Sequence, residues 1–306
     1  MSFKQPCKSC KLTTDCRQVP AFTSLSISIC KSLAHPPWRE TRAGLGKLFS
    51  DERIWGAGAE GFTRIIAEPR RRFLLRTDVA DQLQIDMFRG DNHPGQLSRF
   101  AGRETLRSVT LKNGENALIR AYRHGGVFRW ITGKKFFSWP PRPFRELAIT
   151  EELRRRGVPT VEVYGAGVEG IIGPFYRGWL ITRELKGSYD LWTALQSGFV
   201  HKWTPEKVLR AVASSLRSLH REGVYHSDLN LKNILVKAEP AGVKGYIIDF
   251  DKAVLFVGGL PDPLAKKNLR RLLRSVSKLD PQRQYLPAAD WDKLVTLYYE
   301  ADRESA

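Results

Sequence analysis

The sequence contains a set of polar side chains whose types and spacing suit phosphoryl transfer. The run HSDLN at 226–230 is followed by Asn233, and a second aspartate, Asp249, comes directly after the apolar run YII at 246–248. Transfer of the γ-phosphoryl group of ATP to an alcohol requires metal ions across the phosphates and a carboxylate that receives the hydroxyl proton. Mg²⁺ takes oxygen ligands, usually one or two carboxylates together with substrate phosphates. We therefore predict that Asp228 receives the proton and that Asn233 and Asp249 hold Mg²⁺.

Two short apolar runs must position these side chains. The runs ILV at 234–236 and YII at 246–248 are separated by a polar segment with proline and glycine at 237–245, which is typical of a buried hairpin. Such a hairpin would return Asp249 to the level of Asn233. Aspartate and asparagine are individually more often turn or cap residues, but the ordered set favours chemistry.

The order of these residues resembles the catalytic loop H-R-D-L-x-x-x-N and the D-F-G segment of protein kinases. Ser227 stands where that pattern has arginine, and Asp251 stands where it has glycine. Asn230 occupies the place where many protein kinases have lysine, so we predict that it contacts the transferred phosphoryl group or orients Asp228. His226 is predicted to be structural, with a hydrogen bond to the backbone near the second aspartate. Asp251 could add a metal ligand or brace the loop.

The chain also resembles one particular kinase family. The runs HSDLN at 226–230, IDFD at 248–251 and RAYRHGG at 120–126 resemble those of the bacterial lipopolysaccharide core kinases, nearest to the 3-deoxy-D-manno-octulosonic acid (Kdo) kinases and close to the heptose kinases. The resemblance covers roughly residues 95–300. It implies an α+β, protein-kinase-like two-lobed fold with a β-rich N-lobe and an α-rich C-lobe. It also implies phosphorylation of the Kdo sugar of a lipid A precursor, with ATP and Mg²⁺ as cofactors.

Other functions stay open beside this one. The same residues would serve a heptose kinase or another small-molecule kinase, because these enzymes share the paired aspartates and the asparagine between them. A third possibility is a membrane-associated pseudokinase that binds a glycolipid without chemistry. The complete set of Asp228, Asn233 and Asp249 argues against that possibility.

Two residues upstream are predicted to position the ATP phosphates. The predicted strand ALIR ends at Arg120, which stands where the Val-Ala-Ile-Lys strand of protein kinases has its lysine, and arginine can bind phosphate bidentately. Glu146, early in a helix predicted over 143–157, corresponds to the glutamate that orients this cation. The alternatives are a solvent-facing cation, with Lys134 and Lys135 as phosphate partners, and a surface pair for Glu146 with a charge four residues away.

Two further segments are predicted to contribute to cofactor binding, through Gly102 and Arg123. The segment FAGRETLRSVTL at 100–111 occupies the place of the kinase glycine-rich loop, and the family resemblance places phosphate cover there although Gly102 is its one glycine. In YRHGGVFRW at 122–130, Arg123 and Arg129 flank a glycine pair that permits close approach, and they could neutralise phosphate or the carboxylate of a Kdo sugar. A plain β-turn is the alternative for this second run.

The composition bounds the partners and the compartment. The 306 residues are 42% apolar, and 50 Lys and Arg against 32 Asp and Glu give a net charge of +18. This excess fits a polyanion such as an anionic inner-membrane surface, a phosphorylated glycolipid or nucleic acid, with charge for solubility as the alternative. No nucleic-acid-binding motif accompanies the charge, so nucleic acid is not expected. Without an apolar run long enough to span a bilayer or a signal peptide, we expect a cytoplasmic protein that is peripheral on the inner membrane.

Four regions are predicted along the chain. Residues 1–50 are predicted to be a poorly ordered tail, 51–94 an N-terminal β extension with a hairpin, 95–183 the kinase-like N-lobe, and 184–306 the C-lobe with basic C-terminal helices. Only one pair of cysteines in the tail has metal-site spacing, so metal binding is the weaker alternative there. The four cysteines are Cys7, Cys10, Cys16 and Cys30. The helix predicted over 264–279 is basic and amphipathic, and we expect its basic edge to face the membrane or lipid A phosphates.

Overall fold

The computed structural model describes residues 61–67, 71–83, 96–97, 106–122, 141–172, 175–256 and 258–300. Within them, a strand-rich half extends to Arg183 and a helix-rich half follows it. This is the mixed α+β composition that the sequence predicts. The predictions for the four cysteines and for several cations and a glycine lie outside the described residues: Gly102, Arg123, Arg129, Lys134 and Lys135.

One antiparallel sheet dominates the first half. In the described residues it has seven strands: β1 (Phe62–Ala67), β2 (Arg71–Arg76), β3 (Gln96–Leu97), β4 (Leu106–Thr110), β5 (Asn116–Ala121), β6 (Val163–Ile172) and β7 (Phe175–Arg183). Their order across the sheet is β1-β2-β6-β7-β5-β4-β3. Helix α1 (Arg142–Arg155) packs against β6 and β7. A proline lies in the first helical turn of α1, where its fixed φ suits the helix and its missing N–H leaves no bond unmade.

The predicted N-terminal hairpin is present and extends this sheet. β1 pairs with β2, and β2 pairs in turn with β6. Along β2, Leu74 packs into the face that α1 covers, whereas Phe73 and Leu75 pack into the opposite face. A Cβ atom on Gly167 of β6 would lie 2.3 Å from the Phe73 ring, so glycine is required for this ring to fit between the strands. The domain boundary predicted after residue 94 stays a prediction.

Helices surround a second core in the other half. The elements described there are β8 (Ser188–Asp190), α2 (Leu191–Gln196), α3 (Gly198–Trp203), α4 (Pro205–Arg221), β9 (Val224–Tyr225), a 3-10 turn (Leu231–Asn233), β10 (Ile234–Glu239), β11 (Gly242–Ile247), β12 (Val254–Leu255), α5 (Asp262–Leu279) and α6 (Ala288–Glu300). Helix α4 packs against α6 and β11 through buried residues such as Leu216 and Leu219. Among the described residues, no helix is long and apolar enough to cross a bilayer.

The hairpin predicted between the two apolar runs is confirmed. β10 and β11 pair antiparallel with Ile234 opposite Ile247. Beyond that pair, the N–H of Ile248 donates to the carbonyl oxygen of Asn233 at 3.0 Å. The pairing therefore places Asn233 and Asp249 at the same end of the hairpin, as the apolar runs imply.

Candidate active site

A cavity of about 920 Å³ lies between the sheet and the helix-rich half. Side chains from β4, β5 and β7 form one wall, and the loop at 228–233, β10 and α5 contribute to the other. Six of the eight predicted site residues line this cavity: Arg120, Glu146, Asp228, Asn230, Asn233 and Asp249. The other two, Gly102 and Arg123, lie outside the described residues. The structure thus brings together every predicted site residue that it describes.

His226 anchors the loop that carries Asp228. Its Nε2 atom lies 3.0 Å from the carbonyl oxygen of Ile248, and its Nδ1 atom accepts the N–H of Asp228 at 3.2 Å. A carbonyl partner requires a proton on Nε2 and an N–H partner requires a lone pair on Nδ1, so both contacts fit one neutral tautomer. Burial lowers the pKa of His226, which favours this neutral form. The predicted hydrogen bond from His226 to the backbone before the second aspartate is confirmed.

Asn268 of α5 holds the same loop, and sequence reasoning missed it. Its Nδ2 donates to the carbonyl oxygen of His226 at 2.7 Å, and its Oδ1 accepts the N–H of His226 at 3.1 Å. The same Oδ1 lies 3.2 Å from Nε2 of His220, a buried histidine on α4. Asn268 is fully buried. The available signal was a polar residue within the apolar stripe of α5, which is costly to bury unless it is hydrogen-bonded.

Two asparagine side chains brace the backbone of Asp228. The Nδ2 atoms of Asn230 and Asn233 each donate to its carbonyl oxygen at 2.9 Å. The Oδ1 atom of Asn230 accepts the N–H of Lys232 at 2.9 Å and so caps the 3-10 turn. Both the oxygen and the nitrogen of the Asn230 side-chain amide therefore form hydrogen bonds within the loop. Asn233 uses only its Nδ2 atom in these contacts. Its Oδ1 atom is therefore available to coordinate a cation.

Arg120 joins β5 to two carboxylates. Its Nη2 atom donates to Glu146 of α1 at 2.6 Å from Oε1 and 2.5 Å from Oε2, and its Nη1 atom lies 3.0 Å from Oδ1 of Asp249. The hydroxyl of Tyr122 also donates to Glu146. The predicted pairing of strand cation and helix glutamate is therefore present. The alternative of a surface pair for Glu146 is wrong, because its side chain is only 2% exposed.

The two carboxylates around Arg120 differ in their proton affinity. Burial raises the pKa of Glu146, the charge of Asp249 adds to this effect, and Arg120 only partly offsets it. Burial also acts to raise the pKa of Asp249, but the charge and hydrogen bond of Arg120 outweigh it, so this pKa lies below its ordinary value. The pKa of Asp249 is therefore lowered whereas that of Glu146 is raised, so Asp249 loses its proton more readily than an ordinary aspartate does.

Asp249 also has an unusual backbone conformation. Its φ is +69°, in the left-handed region that aspartate tolerates better than most residues do. Such conformations cost on the order of 1–3 kcal/mol and persist where surrounding contacts enforce them. Here the ion pair with Arg120 and the hydrogen bond from Ile248 to Asn233 hold the residue on both sides. The conformation turns the Asp249 side chain into the cavity.

Asp251 braces the structure instead of lining the cavity. Both of its oxygens accept from Arg142 at the start of α1, with 2.7 Å between Nε and Oδ1. Nearby, Nη2 of Arg145 donates to the carbonyl oxygen of Ala253 at 3.2 Å. A glycine at position 251 could not make the pair with Arg142. The departure from D-F-G thus has a local structural reason, and Arg142 is a second residue that sequence reasoning missed.

Apolar side chains form a slot at the strand side of the cavity. Leu106, Leu118 and Leu180 come from β4, β5 and β7, and Leu235 and Ile248 come from the hairpin that carries Asn233. The cavity is also lined by Thr182, Arg183 and Leu185, where β7 ends and the chain enters the helix-rich half. A mainly apolar lining with a small number of polar groups is usual for a site that binds a small molecule.

Comparison with known proteins identifies relatives along most of the chain. The family model described as the lipopolysaccharide kinase (Kdo/WaaP) family matches residues 94–298. A 3-deoxy-D-manno-octulosonic acid kinase of Pasteurella multocida is 32% identical over 190 residues, which cover 60% of this chain and 76% of that protein. A protein of the same name from Vibrio cholerae serotype O1 is 31% identical over 185 residues, 60% of this chain and 74% of that protein.

A solved structure of WaaP in complex with acyl carrier protein is also similar, with a TM-score of 0.48 and 18% identity over 78% of this chain and 89% of that one. The family match alone extends over well more than half of the 306 residues. The chain therefore belongs to the lipopolysaccharide kinase (Kdo/WaaP) family, which confirms the resemblance seen in its motifs and the kinase-like α+β fold.

Proposed function

We propose that this kinase transfers the γ-phosphoryl group of ATP to a hydroxyl group of the Kdo sugar on a lipid A precursor. The observation that carries the proposal is the convergence of Asp228, Asn233 and Asp249 on one cavity that also holds the Arg120–Glu146 pair. Two relatives at 31–32% identity, each named as a kinase of this sugar acid, support the choice of acceptor.

The apolar slot is the place for the adenine ring of ATP. Leucine side chains from both halves of the molecule line the cavity, and so do Arg183 and Leu185. We expect backbone groups near Arg183 to Leu185 to meet the adenine edge. The phosphates would then extend toward Arg120, Asn233 and Asp249 at the other end of the slot.

The residues around the phosphate end fit Mg²⁺. Asn233 has an amide oxygen that the loop contacts leave available, and Asp249 has an anionic carboxylate with one oxygen, Oδ2, beyond the Arg120 contact. Both are hard oxygen donors of the kind that Mg²⁺ prefers. Bound Mg²⁺ supplies charge neutralisation across the phosphates. Arg120, held by Glu146, adds a fixed positive charge beside them.

Asp228 is the residue that we assign to proton removal from the acceptor hydroxyl. Its backbone is fixed by the His226 ring and by two asparagine amides, so the carboxylate is presented to the cavity from a rigid loop. A base must lie within hydrogen-bonding reach of the proton that it accepts, and rigidity preserves that geometry. Asn230 contributes by orienting this loop, which is one of the two roles predicted for it.

The acceptor also defines where the enzyme works. A lipid A precursor is anchored in a bilayer, so we propose a peripheral position on the cytoplasmic face of the inner membrane, with the net charge of +18 attracting anionic lipid headgroups. Nucleic acid is not among the proposed partners.

A phosphotransfer assay with a panel of acceptors tests this function. The full chain would be incubated with ATP, Mg²⁺ and one of three acceptors: a Kdo-bearing lipid A precursor, a heptosylated core, or free neutral sugars. We expect phosphate transfer to the Kdo-bearing acceptor alone, detected by mass spectrometry. Transfer only to heptose would replace the Kdo assignment, and ATP binding without transfer to any acceptor would indicate a pseudokinase.

A further inference from the structure

The wall that α5 contributes to the cavity is basic. Arg271, Arg274 and Lys278 line it, three and four residues apart and therefore on one face of the helix. The sequence predicts that the basic edge of this helix faces the membrane or lipid A phosphates. The structure divides the cations of α5, because these three line the cavity and others, such as Arg270, do not.

This basic face is fixed relative to the catalytic loop. The Oγ atom of Ser275 accepts the N–H of Leu231 at 3.1 Å, in the 3-10 turn that follows Asp228. Three residues before Arg271, Asn268 makes its two hydrogen bonds to the backbone of His226. Two anchors that flank Arg271 along α5 therefore attach its cations to the loop that carries the proposed base.

The cations on this face have capacity for a ligand. The Nε atom of Arg271 is buried and has no hydrogen-bond partner among the described residues. A buried donor without an acceptor is unfavourable, so an acceptor supplied by a ligand would relieve it. Asp190 also lines the cavity, but its two oxygens accept from the N–H and hydroxyl of Thr193, where it caps α2.

We infer that Arg271, Arg274 and Lys278 form the subsite that binds the carboxylate of the acceptor sugar acid. The inference rests on the proposed function. A sugar acid carries its carboxylate on the same sugar as the hydroxyl that reacts, so an anion site attached to the Asp228 loop is within reach of that group. Arginine binds carboxylates bidentately, and its planar geometry also orients the sugar ring. A neutral sugar such as a heptose lacks the anion, so this subsite selects the acid.

Replacement of Arg271 tests the subsite. The variant Arg271→Gln would be compared with Arg270→Gln, which changes an exposed cation on the same helix that does not line the cavity. Each would be assayed with the Kdo-bearing acceptor and with an analogue whose carboxylate is converted to a neutral amide. We expect Arg271→Gln to raise the KM for the acid acceptor about tenfold or more, as for loss of a charge-assisted hydrogen bond. The KM for ATP should stay unchanged, and Arg270→Gln should behave like the wild type.

The two acceptors separate the possible outcomes. With the amide acceptor, the wild type and Arg271→Gln should have the same KM, because the group that Arg271 binds is absent. An equal loss with both acceptors overturns the carboxylate assignment. A loss that disappears only when the lipid A phosphates are removed also overturns it, because the ligand is then a phosphate.

Two controls keep the test decisive. Thermal unfolding shows whether Arg271→Gln is folded. If that variant does not fold, Lys278→Gln, at an exposed position on the same face, is tested in its place. Transfer by the wild type with no difference between acid and amide acceptors overturns the subsite alone. Failure of the wild type to phosphorylate any Kdo-bearing acceptor overturns the proposed function and the subsite together.

Discussion

The loop that carries Asp228 is held by hydrogen bonds between neutral groups, whereas the segment that carries Asp249 is held by ion pairs. His226 and Asn268 fix the first through buried amide and imidazole groups. Arg120 and Arg142 fix the second through carboxylates. The difference places positive charge beside Asp249, where the phosphates of ATP are expected. Each prediction below tests one side of this contrast.

The largest effect is expected at the proposed base. Asp228→Ala should lower kcat by about 10²–10⁴-fold, because proton transfer by a positioned side chain contributes that much to many enzymes. ATP affinity should change little, since the slot that we propose for the adenine ring is formed by other residues. Steady-state phosphotransfer and nucleotide binding measure the two quantities. Asp292→Asn on α6 is the control at an exposed position, and unchanged turnover in Asp228→Ala would remove the proposed base.

Removal of a buried carboxylate should have the largest effect on stability. Glu146→Ala leaves Arg120 and Tyr122 without this partner, and breaking a buried pair in this way typically costs about 3–5 kcal/mol of unfolding free energy. Glu206→Ala, which breaks an exposed pair with Arg210, should cost about 0–1 kcal/mol. Urea denaturation compares the two variants. Equal losses would mean that burial of the Arg120 pair contributes nothing.

Mild acid should weaken the contacts that hold the Asp228 loop before it weakens the ion pairs around Asp249. Burial lowers the pKa of His220 from 6.5 to about 4, Asn268 partly offsets this, and Arg217 and His226 lower it further. The unfolded chain then binds more protons between these two values, so stability is fully present above about pH 6.5 and falls until about pH 4. The expected loss is on the order of 3 kcal/mol.

Urea denaturation across this pH interval measures that loss, and His220→Gln should make the pH dependence shallower. The lowered pKa of Asp249 works at a different pH, because its contribution is present above its ordinary value of 3.8 and is lost only below it. An unchanged slope in His220→Gln would contradict the assignment to this histidine.

The smallest expected effect is a difference in salt dependence between the ion pairs of the Asp249 segment and the hydrogen bonds of the Asp228 loop. Asp251→Asn weakens the pair with Arg142, whose side chain is 27% exposed, and should cost about 1 kcal/mol at low salt. In about 1 M NaCl this cost should shrink, because salt screens partly exposed charges. Asn268→Ala removes hydrogen bonds between uncharged groups, so its cost should be the same at both salt concentrations. Equal salt dependence of the two variants would contradict the contrast.

Local patterns in the sequence were sufficient for much of the site. The apolar runs on either side of 237–245 predict the hairpin that brings Asn233 beside Asp249, and the structure confirms it. The kinase pattern also predicts that Arg120 pairs with a helix glutamate, and the pair with Glu146 is present. Both predictions depend on short spacings or on one familiar pattern. The roles of these residues in transfer stay predictions.

The missed features depend on distant contacts. Asn268 lies 42 residues after His226, and no spacing rule connects them. The pattern of α5 shows which residues are apolar, but it does not show which of its cations face the cavity. Helix α2 begins only at Leu191, because residues 188–190 pair with β10 and Asp190 caps the helix. In each case the partner is set by the tertiary structure.

Helix α1 links Arg120 to the segment that follows Asp249. Arg142 reaches Asp251, Arg145 reaches the carbonyl of Ala253, and Glu146 reaches Arg120, all from the first turns of one helix. A helix is stiff over this length, so a shift that strengthens one of the three contacts must alter the other two. Substitutions at Arg142 and Glu146 should therefore be non-additive in a double-mutant cycle, because both side chains also contact Tyr122. Nucleotide occupancy and the position of Asp249 would then be sensed through the same rigid element.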